Sequence, residues 1–597
     1  MILGGQSKPQ SIELRKVMRS LMPEIRYSFL ITLVVTVISL GSVVYMMQVY
    51  DRVVSTHSMS TLLSLTIAVV AAYAIGELLE FIRKRLMQRS SMKIEIALSE
   101  RVFRALHRAN LLKMPGIYSQ QIRDLAVVRD FLSSPAMITL LELPTSLLFL
   151  ILIFMINPQM GYFSLLGLLI QIVVAWINAT KVDPQLRKAQ GSSFVAMYYA
   201  HETMRNAQIM HALGMSRNLE NLWLEMQKKM MAEQGKASDI GGTIMSSTKF
   251  ISMTQGSLLL GIGAMLTLYG LMPGGGAMMV VASIIGGKAL GPIAQLLGSW
   301  RMLTEARLAF ERLEHLLVTL PANEKGMSLP VPKGNLSVEN LVVSAPGYPV
   351  SIIRGINFSV PQGKTLVVIG ASASGKSTLT RALMGVWPSG GGKVRLDGVD
   401  VYQWDKDELG EHIGYLPQDV DLFDGTVAEN IARFGEVDMP HIEEICKLIG
   451  INEVIEKLPN GYHSNIGDEG VTLSGGQKQR VGLARALYRF PKFIVMDEPN
   501  SNLDDVGEQA LISAIAYMKS RGSTQVIVTH RPAMIQQADL LMVMRSGLIH
   551  MYGPTNDVLA AINKANAEAV AAQTAAAQAA AQAAAQAATP TLSGPSA

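Results

Sequence analysis

Gly370-Ala-Ser-Ala-Ser-Gly-Lys-Ser377 stands directly after the apolar run Thr365-Leu-Val-Val-Ile369 and directly before Thr378-Leu-Thr-Arg-Ala-Leu-Met384. The stretch fits G-x-x-x-x-G-K-[ST], a loop whose backbone N–H groups wrap nucleotide phosphates. Gly370, Ala371, Ser372, Ala373, Ser374 and Gly375 form the wrap, Lys376 reaches the terminal phosphates, the Ser377 hydroxyl meets Mg²⁺, and Thr378 opens the helix behind. That helix brings its N-terminus, with its partial positive charge, under the phosphates. The strand–loop–helix setting predicts an ATP or GTP site rather than a glycine-rich turn that binds nothing.

With 597 residues, the chain has room for several domains at roughly 150 residues each. Only 17% of residues are charged and the mean hydropathy is +0.27, which places part of the chain in lipid. A net charge of +5 is small for this length and argues against nucleic acid as a partner. A single cysteine, Cys446, excludes a disulfide framework and a Cys-based metal site, and is expected as a small buried residue.

Apolar segments run from Tyr27 to Tyr50, Thr61 to Phe81, Met137 to Ile156, Met160 to Ile177, Phe250 to Met272 and Ala277 to Trp300. Each is long enough for a bilayer core of roughly 30 Å, so six crossings are predicted. The short connections 51–60, 157–159 and 273–275 hold one basic residue, Arg52, whereas Arg83, Lys84, Arg85, Arg89, Lys181, Arg187, Lys188, Arg301 and Arg307 flank the other ends. The positive-inside rule then puts both termini and the long connections in the cytoplasm. Those connections read as helix over Arg83 to Leu112 and Pro184 to Ala237, with breaks at Met114-Pro-Gly116 and near Gly191-Ser-Ser193. A helix running unbroken from the second span to Leu112 would be roughly 75 Å long.

Glu77, Glu142 and Lys288 lie within apolar segments, where a charge either faces an inner cavity or partner chain or sits near a helix end. Gly256, Gly261, Gly263, Gly286 and Gly287 predict close helix contacts or a bend. Arg301 to Leu317 reads as a cytoplasmic helix. Beyond the proline-containing stretch 321–334, short Val/Ile-rich strands alternate with helices, which is α/β patterning. The expected domains are a cytoplasmic segment 1–26, a transmembrane domain 27–320, a linker 321–334, a nucleotide-binding domain 335–556 and an Ala/Gln-rich, disordered tail 557–597. That tail has no large apolar stripe to bury.

Downstream of the phosphate loop, Phe493-Ile-Val-Met-Asp497 is an apolar strand ending in a carboxylate, followed by Glu498. Asp497 is placed to hold Mg²⁺ through water and Glu498 to polarise an attacking water. Leu473-Ser-Gly-Gly-Gln477, with Gln418, Asp504 and His530, makes the chain resemble the ATP-binding cassette superfamily. The resemblance implies that Gln418 contacts Mg²⁺ and water. It also implies that Ser474, Gly475, Gly476 and Gln477 close on the γ-phosphate held by a second subunit. Asp504 matches the D-loop residue and His530 the switch histidine at the end of Gln525-Val-Ile-Val-Thr529. Gly467-Asp-Glu-Gly470 resembles the segment by which exporters touch their transmembrane helices. Many exporters of this superfamily stack a tyrosine on adenine. Ala345 stands at that position here, with Tyr348 three residues on as the substitute.

Six spans followed by one cassette resemble an exporter half-transporter. The implied fold is a multi-domain membrane protein, with a six-helix all-α transmembrane domain of the type I exporter fold followed by an α/β P-loop cassette. Val44-Tyr-Met-Met-Gln-Val-Tyr-Asp-Arg52 and Ser283-Ile-Ile-Gly-Gly-Lys-Ala-Leu-Gly-Pro292 resemble segments of the inner-membrane ATPases of bacterial type I protein secretion. That branch exports metalloproteases, lipases, haem-binding proteins and surface-layer proteins. About 26 residues before the first span are too few for the peptidase-like domain of double-glycine peptide exporters. The resemblance implies an ATP-hydrolysing homodimer in the bacterial inner membrane that exports an unfolded polypeptide with a C-terminal signal. Its partners would be membrane lipid, a periplasmic adaptor and an outer-membrane channel. A lipid or drug flippase of the same architecture is the alternative.

Overall fold

In lipid each backbone N–H and C=O must be paired within the spanning segment, which leaves helices as the way for these apolar runs to cross. The structure, a computed structural model, describes residues 12–114, 120–272, 275–322, 328–467 and 470–565, with 567, 568, 573, 574 and 578. The chain divides into two compact units, 1–110 with 116–322, and 111–115 with 323–597.

In the first unit, Glu13–Thr56, Met59–Leu111, Pro158–Arg205, Ser216–Leu268 and Gly275–Gly298 are long and apolar enough to cross a membrane. Pro135–Glu142 and Thr145–Ile156, bent by 41°, make a sixth span when counted together. The single segment expected over Met137 to Ile156 is therefore bent. The bend falls at Leu143-Pro144, where proline lacks the N–H that would continue the helix. The second span continues as one 53-residue helix to Leu111, about 80 Å long. The expected break near Gly191-Ser-Ser193 is absent: all three residues are helical within Pro158–Arg205. Ser192 Oγ donates to the Glu233 carboxylate of the adjoining helix, and tertiary packing of this kind outweighs the modest helix penalty of glycine. The chain breaks instead at Asn206 and at Leu213–Met215, where Gly214 takes φ +65°.

Of the five glycines expected at close contacts, two make them. A Cβ on Gly286 would lie 2.2 Å from Leu259 Cδ2, and one on Gly263 would lie 2.7 Å from Met279 Cγ. Gly256, Gly261 and Gly287 face open space, whereas Gly167, which sequence reading passed over, receives the Gln255 side chain.

Arg83, expected as a cytoplasmic flanking charge, turns inward, and its side chain is 2% exposed. It donates to Thr32 Oγ1 at 2.9 Å, Glu142 Oε1 at 3.1 Å and Glu80 Oε1 at 2.7 Å, which ties the first three spans together beside the Pro144 bend. The charge on Glu142 is thus answered within the chain. Lys288 donates to Ser39 Oγ at 3.1 Å and lies over the Phe149 ring, while Glu77 is exposed. Removing one member of a buried ion pair leaves the other uncompensated. Arg83→Met is therefore expected to cost about 3–5 kcal/mol of stability, read as a lowered thermal midpoint of the purified protein. Arg104→Met, which breaks only the exposed pair with Glu100, should change stability by less than about 1 kcal/mol.

The Trp300–Thr319 helix matches the expected cytoplasmic helix, and Arg312 grips Asp124 of Gln120–Leu132 through two hydrogen bonds at 2.6 and 2.7 Å.

In the second unit the strands are β1 (Leu336–Ser344), β2 (Ser351–Val360), β3 (Thr365–Gly370), β4 (Gly391–Leu396), β5 (Val399–Asp400), β6 (Ile413–Leu416), β7 (Gly425–Thr426), β8 (Asn465–Ile466), β9 (Phe493–Asp497), β10 (Thr524–Val528), β11 (Leu540–Arg545) and β12 (Leu548–Pro554). The central sheet runs β12-β11-β3-β10-β9-β6, parallel except where β12 pairs antiparallel with β11. β9 and β10 are buried along their whole length and β3 over its first four residues, and Val and Ile dominate them, because both faces of a parallel sheet are covered. A smaller sheet, β2-β1-β4-β5, is antiparallel throughout. Cys446 is fully buried in the second unit's core, and burial pushes its thiol up to about 12.

A helix over 555–565 crosses the expected domain boundary at 556, and Val558, Leu559 and Ile562 pack on the same core. The first part of the expected disordered tail is therefore ordered, because those three residues form the apolar stripe that the Ala/Gln composition hides. The N-terminal residues 1–11, the linker residues 323–327, Pro115-Gly116, Pro273-Gly274, Asp468-Glu469 and 579–597 lie outside the described residues.

Candidate nucleotide site

Ligand sites in open parallel sheets form beyond the carboxyl ends of the strands. The phosphate loop closes β3, Asp497 ends β9, His530 follows β10, and Gln418 follows β6, where it is exposed. Because β10 lies between β3 and β9, the sheet order alone brings loop, carboxylates and histidine to one edge.

The loop turns through Gly375 at φ +99°, a conformation that favours glycine, while Ala373 also holds a left-handed φ of 61°. Gly370 is fixed by space, since a Cβ there would lie 2.4 Å from the Met544 carbonyl oxygen. The Lys376–Leu383 helix starts at the loop with no side-chain cap, leaving its first N–H groups for an anion. Lys376 Nζ donates to the carbonyls of Gly370 at 2.8 Å and Ala371 at 3.1 Å, which holds the ammonium at the loop.

Asp497 is 3% exposed. Thr380 Oγ1 donates to its Oδ2 at 3.3 Å, while Oδ1 is buried with no hydrogen-bond partner. Burial is the main cause raising the Asp497 pKa, with Glu498 adding to it and the hydroxyls of Ser377 and Thr380 opposing it. Glu498 has a left-handed φ of 48°, held by its N–H to the Val528 carbonyl at 2.9 Å. Strain of this kind on a non-glycine residue persists where its surroundings fix it. Its Oε1 lies 3.7 Å from His530 Nε2, with both side chains partly open to solvent.

Ser474 caps the 13-residue Gly475–Leu487 helix. Its Oγ accepts from Gln477 N and its own N–H donates to Gln477 Oε1 at 2.8 Å, a reciprocal capping box. Gly476 leaves room for the Asn502 carbonyl, which a Cβ would approach to 2.6 Å. Asp504 caps Asp505–Ser520 by accepting from Gly507 N at 3.0 Å and pairs with Arg480 of the Ser474 helix, and these contacts lower its pKa. Among the described residues the hydrogen bonds of Ser474 run to Gln477 and Lys478 of its own helix, and none reaches the phosphate loop. Tyr348 sits on the turn after β1 with 70% of its surface exposed, and Ala345 closes that turn by accepting from Tyr348 N.

Sequence reasoning missed the residues that brace the site. Thr529 Oγ1 donates to Asn500 Oδ1 at 3.0 Å, linking the strand before His530 to the segment after Glu498. Gln479 Nε2 donates to the Pro499 carbonyl at 3.3 Å. Thr529 was discoverable as a hydroxyl next to His530 at a strand end. Gln479 carries no such local mark.

The family model described as ABC transporter matches residues 353–501, and that of the ABC transporter transmembrane region matches 25–287. The chain is 39% identical over 520 residues to the type I secretion system ATP-binding protein PrsD of Rhizobium meliloti (strain 1021), covering 87% of this chain and 89% of that protein. It is 27% identical to the toxin RTX-I translocation ATP-binding protein of Actinobacillus pleuropneumoniae, covering 90% of this chain and 77% of that one. The structure of a bacterial Atm1-family ABC exporter with ATP bound matches with a TM-score of 0.78 at 21% identity, covering 90% of this chain and 96% of that chain. At that identity the likeness speaks to the fold.

Proposed function

We propose that this chain, which belongs to the ABC transporter family and within it to the type I secretion ATP-binding proteins, exports an unfolded polypeptide that carries a C-terminal signal. The protein is a multi-pass membrane protein of the bacterial inner membrane whose cassette binds ATP and couples its hydrolysis to transport. The observation that carries the substrate class is the continuity of the likeness to PrsD, which runs through membrane segments and cassette alike.

In this reading Lys376 and the N–H groups of the loop and its helix bind the phosphates, and Glu498 polarises the attacking water. His530 positions the γ-phosphate, and Gln418 reports its presence. Mg²⁺, when bound, neutralises phosphate charge. The unpartnered Oδ1 of Asp497 beside the Ser377 hydroxyl fits an ion held through water. Among the described residues no group of three or more His, Cys, Asp or Glu could hold a metal unaided, which matches an ion that arrives with the nucleotide. Tyr348, exposed at the end of β1, is the candidate for stacking on adenine.

One loop and one signature per chain call for a second copy across a two-fold axis, so the working unit is a homodimer. Both termini face the cytoplasm by the distribution of basic residues. A periplasmic adaptor and an outer-membrane channel complete the path. The test places the chain with such partners in cells and fuses the C-terminal segment of a neighbouring secreted protein to a reporter. Reporter in the medium, lost with Glu498→Gln, is the expected result. An ATPase that answers to lipids or drugs and never to that segment would make the protein a lipid or drug exporter.

A further inference from the structure

Arg433 is half-buried, and among the described residues its guanidinium meets no carboxylate. Nε donates to the Arg485 carbonyl at 3.0 Å and Nη2 to the Ala486 carbonyl at 3.2 Å. Nη1 donates to the carbonyls of Gly410 at 2.6 Å and Ile413 at 3.0 Å. The first two acceptors belong to the last turn of the Gly475–Leu487 helix, whose carbonyls have no partner inside the helix. The last two flank the start of β6, the strand that leads to Gln418. One side chain therefore satisfies the orphaned end of the Ser474 helix and fastens it to the Gln418 strand.

Three further features show that this junction is built tightly. A Cβ on Gly414, in β6, would lie 2.2 Å from the Ala486 carbonyl oxygen, so strand and helix end touch backbone to backbone. A Cβ on Gly482 would lie 2.6 Å from Val420, and Arg485 Nη2 donates to the Asp421 carbonyl at 3.0 Å, so the same helix also beds the segment just past Gln418. Arg433 and Phe434 hold left-handed φ values of 57° and 58°, a conformation that costs energy for side chains of this size. The strain aims the guanidinium into the junction.

We infer that Arg433 is a positioning residue for ATP turnover, pinning the C-terminal end of the signature helix to the strand carrying Gln418 so that Ser474 and Gln418 keep a fixed relation. The helix is about 20 Å long, so a small tilt at its pinned end becomes a shift of order an ångström at Ser474. Displacements of that size can cost about a hundredfold in rate. The phosphate loop follows β3, Lys376 opens the helix behind it, and among the described residues the hydrogen bonds of Arg433 all run elsewhere, so nucleotide affinity should be spared. The inference rests on the roles proposed above for Ser474 and Gln418.

The experiment uses the full-length protein in lipid nanodiscs and measures kcat, ATP affinity and thermal midpoint for Arg433→Lys, Arg433→Met and Arg433→Ala. Lysine keeps the charge but cannot fork to four carbonyls. The expected result is a fall in kcat of about tenfold or more in all three, with ATP affinity changed by less than about threefold. Arg433 lines a cavity of about 660 Å³, which gives a free cation a way in. Millimolar guanidinium should therefore restore part of the Arg433→Ala rate, and tetramethylammonium should not. A kcat within twofold of the parent overturns the inference. So does a loss in which ATP affinity falls in step with kcat and guanidinium restores nothing. Glu498→Gln and Lys376→Ala run alongside: if either hydrolyses ATP at the parent rate, the site assignment itself fails and this inference with it. If both are inactive while the Arg433 variants are normal, the inference fails alone.

Discussion

Glu498→Gln should lower ATP turnover by at least about a hundredfold while leaving ATP bound. The change keeps the side chain's size and removes its ability to take a proton from water, so the loss reports on chemistry rather than packing. The residue's position supports this expectation. Glu498 is held at φ 48° beyond β9 by the Val528 carbonyl, so its carboxylate is aimed by backbone rather than by rotamer choice. It lies partly open to solvent where a water can reach it, whereas its neighbour Asp497 is buried and bonded to Thr380. The two adjacent carboxylates therefore differ in access, Glu498 partly open and Asp497 buried, as a proton acceptor and an anchor would require. Phosphate release and nucleotide binding, measured on the same preparation, check the prediction. Parent-like turnover would move the general base to another residue, with His530, 3.7 Å away, the first to examine.

How much of this was legible in the sequence depends on whether a signal is local. The phosphate loop, the Asp497-Glu498 strand end and the Ser474 cap are each written within a few consecutive residues, and the sheet carries them to one edge. The six apolar segments were legible for the same reason, since hydropathy integrates over a window as long as a span. Arg83 was not, because a basic residue just past a span reads the same whether it reaches water or turns inward. Its three acceptors lie on three different helices. The Pro144 bend was written in the sequence but masked by the apolar residues around it. Gly191-Ser-Ser193 misled in the other direction, where the partner helix holds a stretch that composition alone would break. The stripe at Val558, Leu559 and Ile562 was hidden by the alanine-rich sequence that follows it. Arg433 had no legible role at all, because backbone carbonyls as acceptors leave no trace in side-chain identity.

Mixing two inactive variants should restore activity, and this result decides whether each site is shared between copies. Ser474→Arg places a long cation at the N-terminus of the Gly475–Leu487 helix, where the helix's own positive end and the capping box both oppose it. Lys376→Ala removes the ammonium that two loop carbonyls hold ready for phosphate. As homodimers each variant should lose turnover by about a hundredfold or more, the first still binding ATP. In a mixed dimer, a shared-site arrangement pairs the intact loop of the Ser474→Arg copy with the intact signature of the Lys376→Ala copy. One of the two sites is then whole, and the other carries both lesions. If loop and signature instead worked within one chain, every site in the mixture would carry a lesion and the mixture would stay silent. Within one chain, among the described residues, Ser474 bonds to its own helix and not to the phosphate loop, as the shared arrangement requires. Co-expressing the two variants under separate affinity tags, isolating the doubly tagged dimer and measuring phosphate release distinguishes them. A doubly tagged dimer as inactive as either parent variant would place the complete site within one chain.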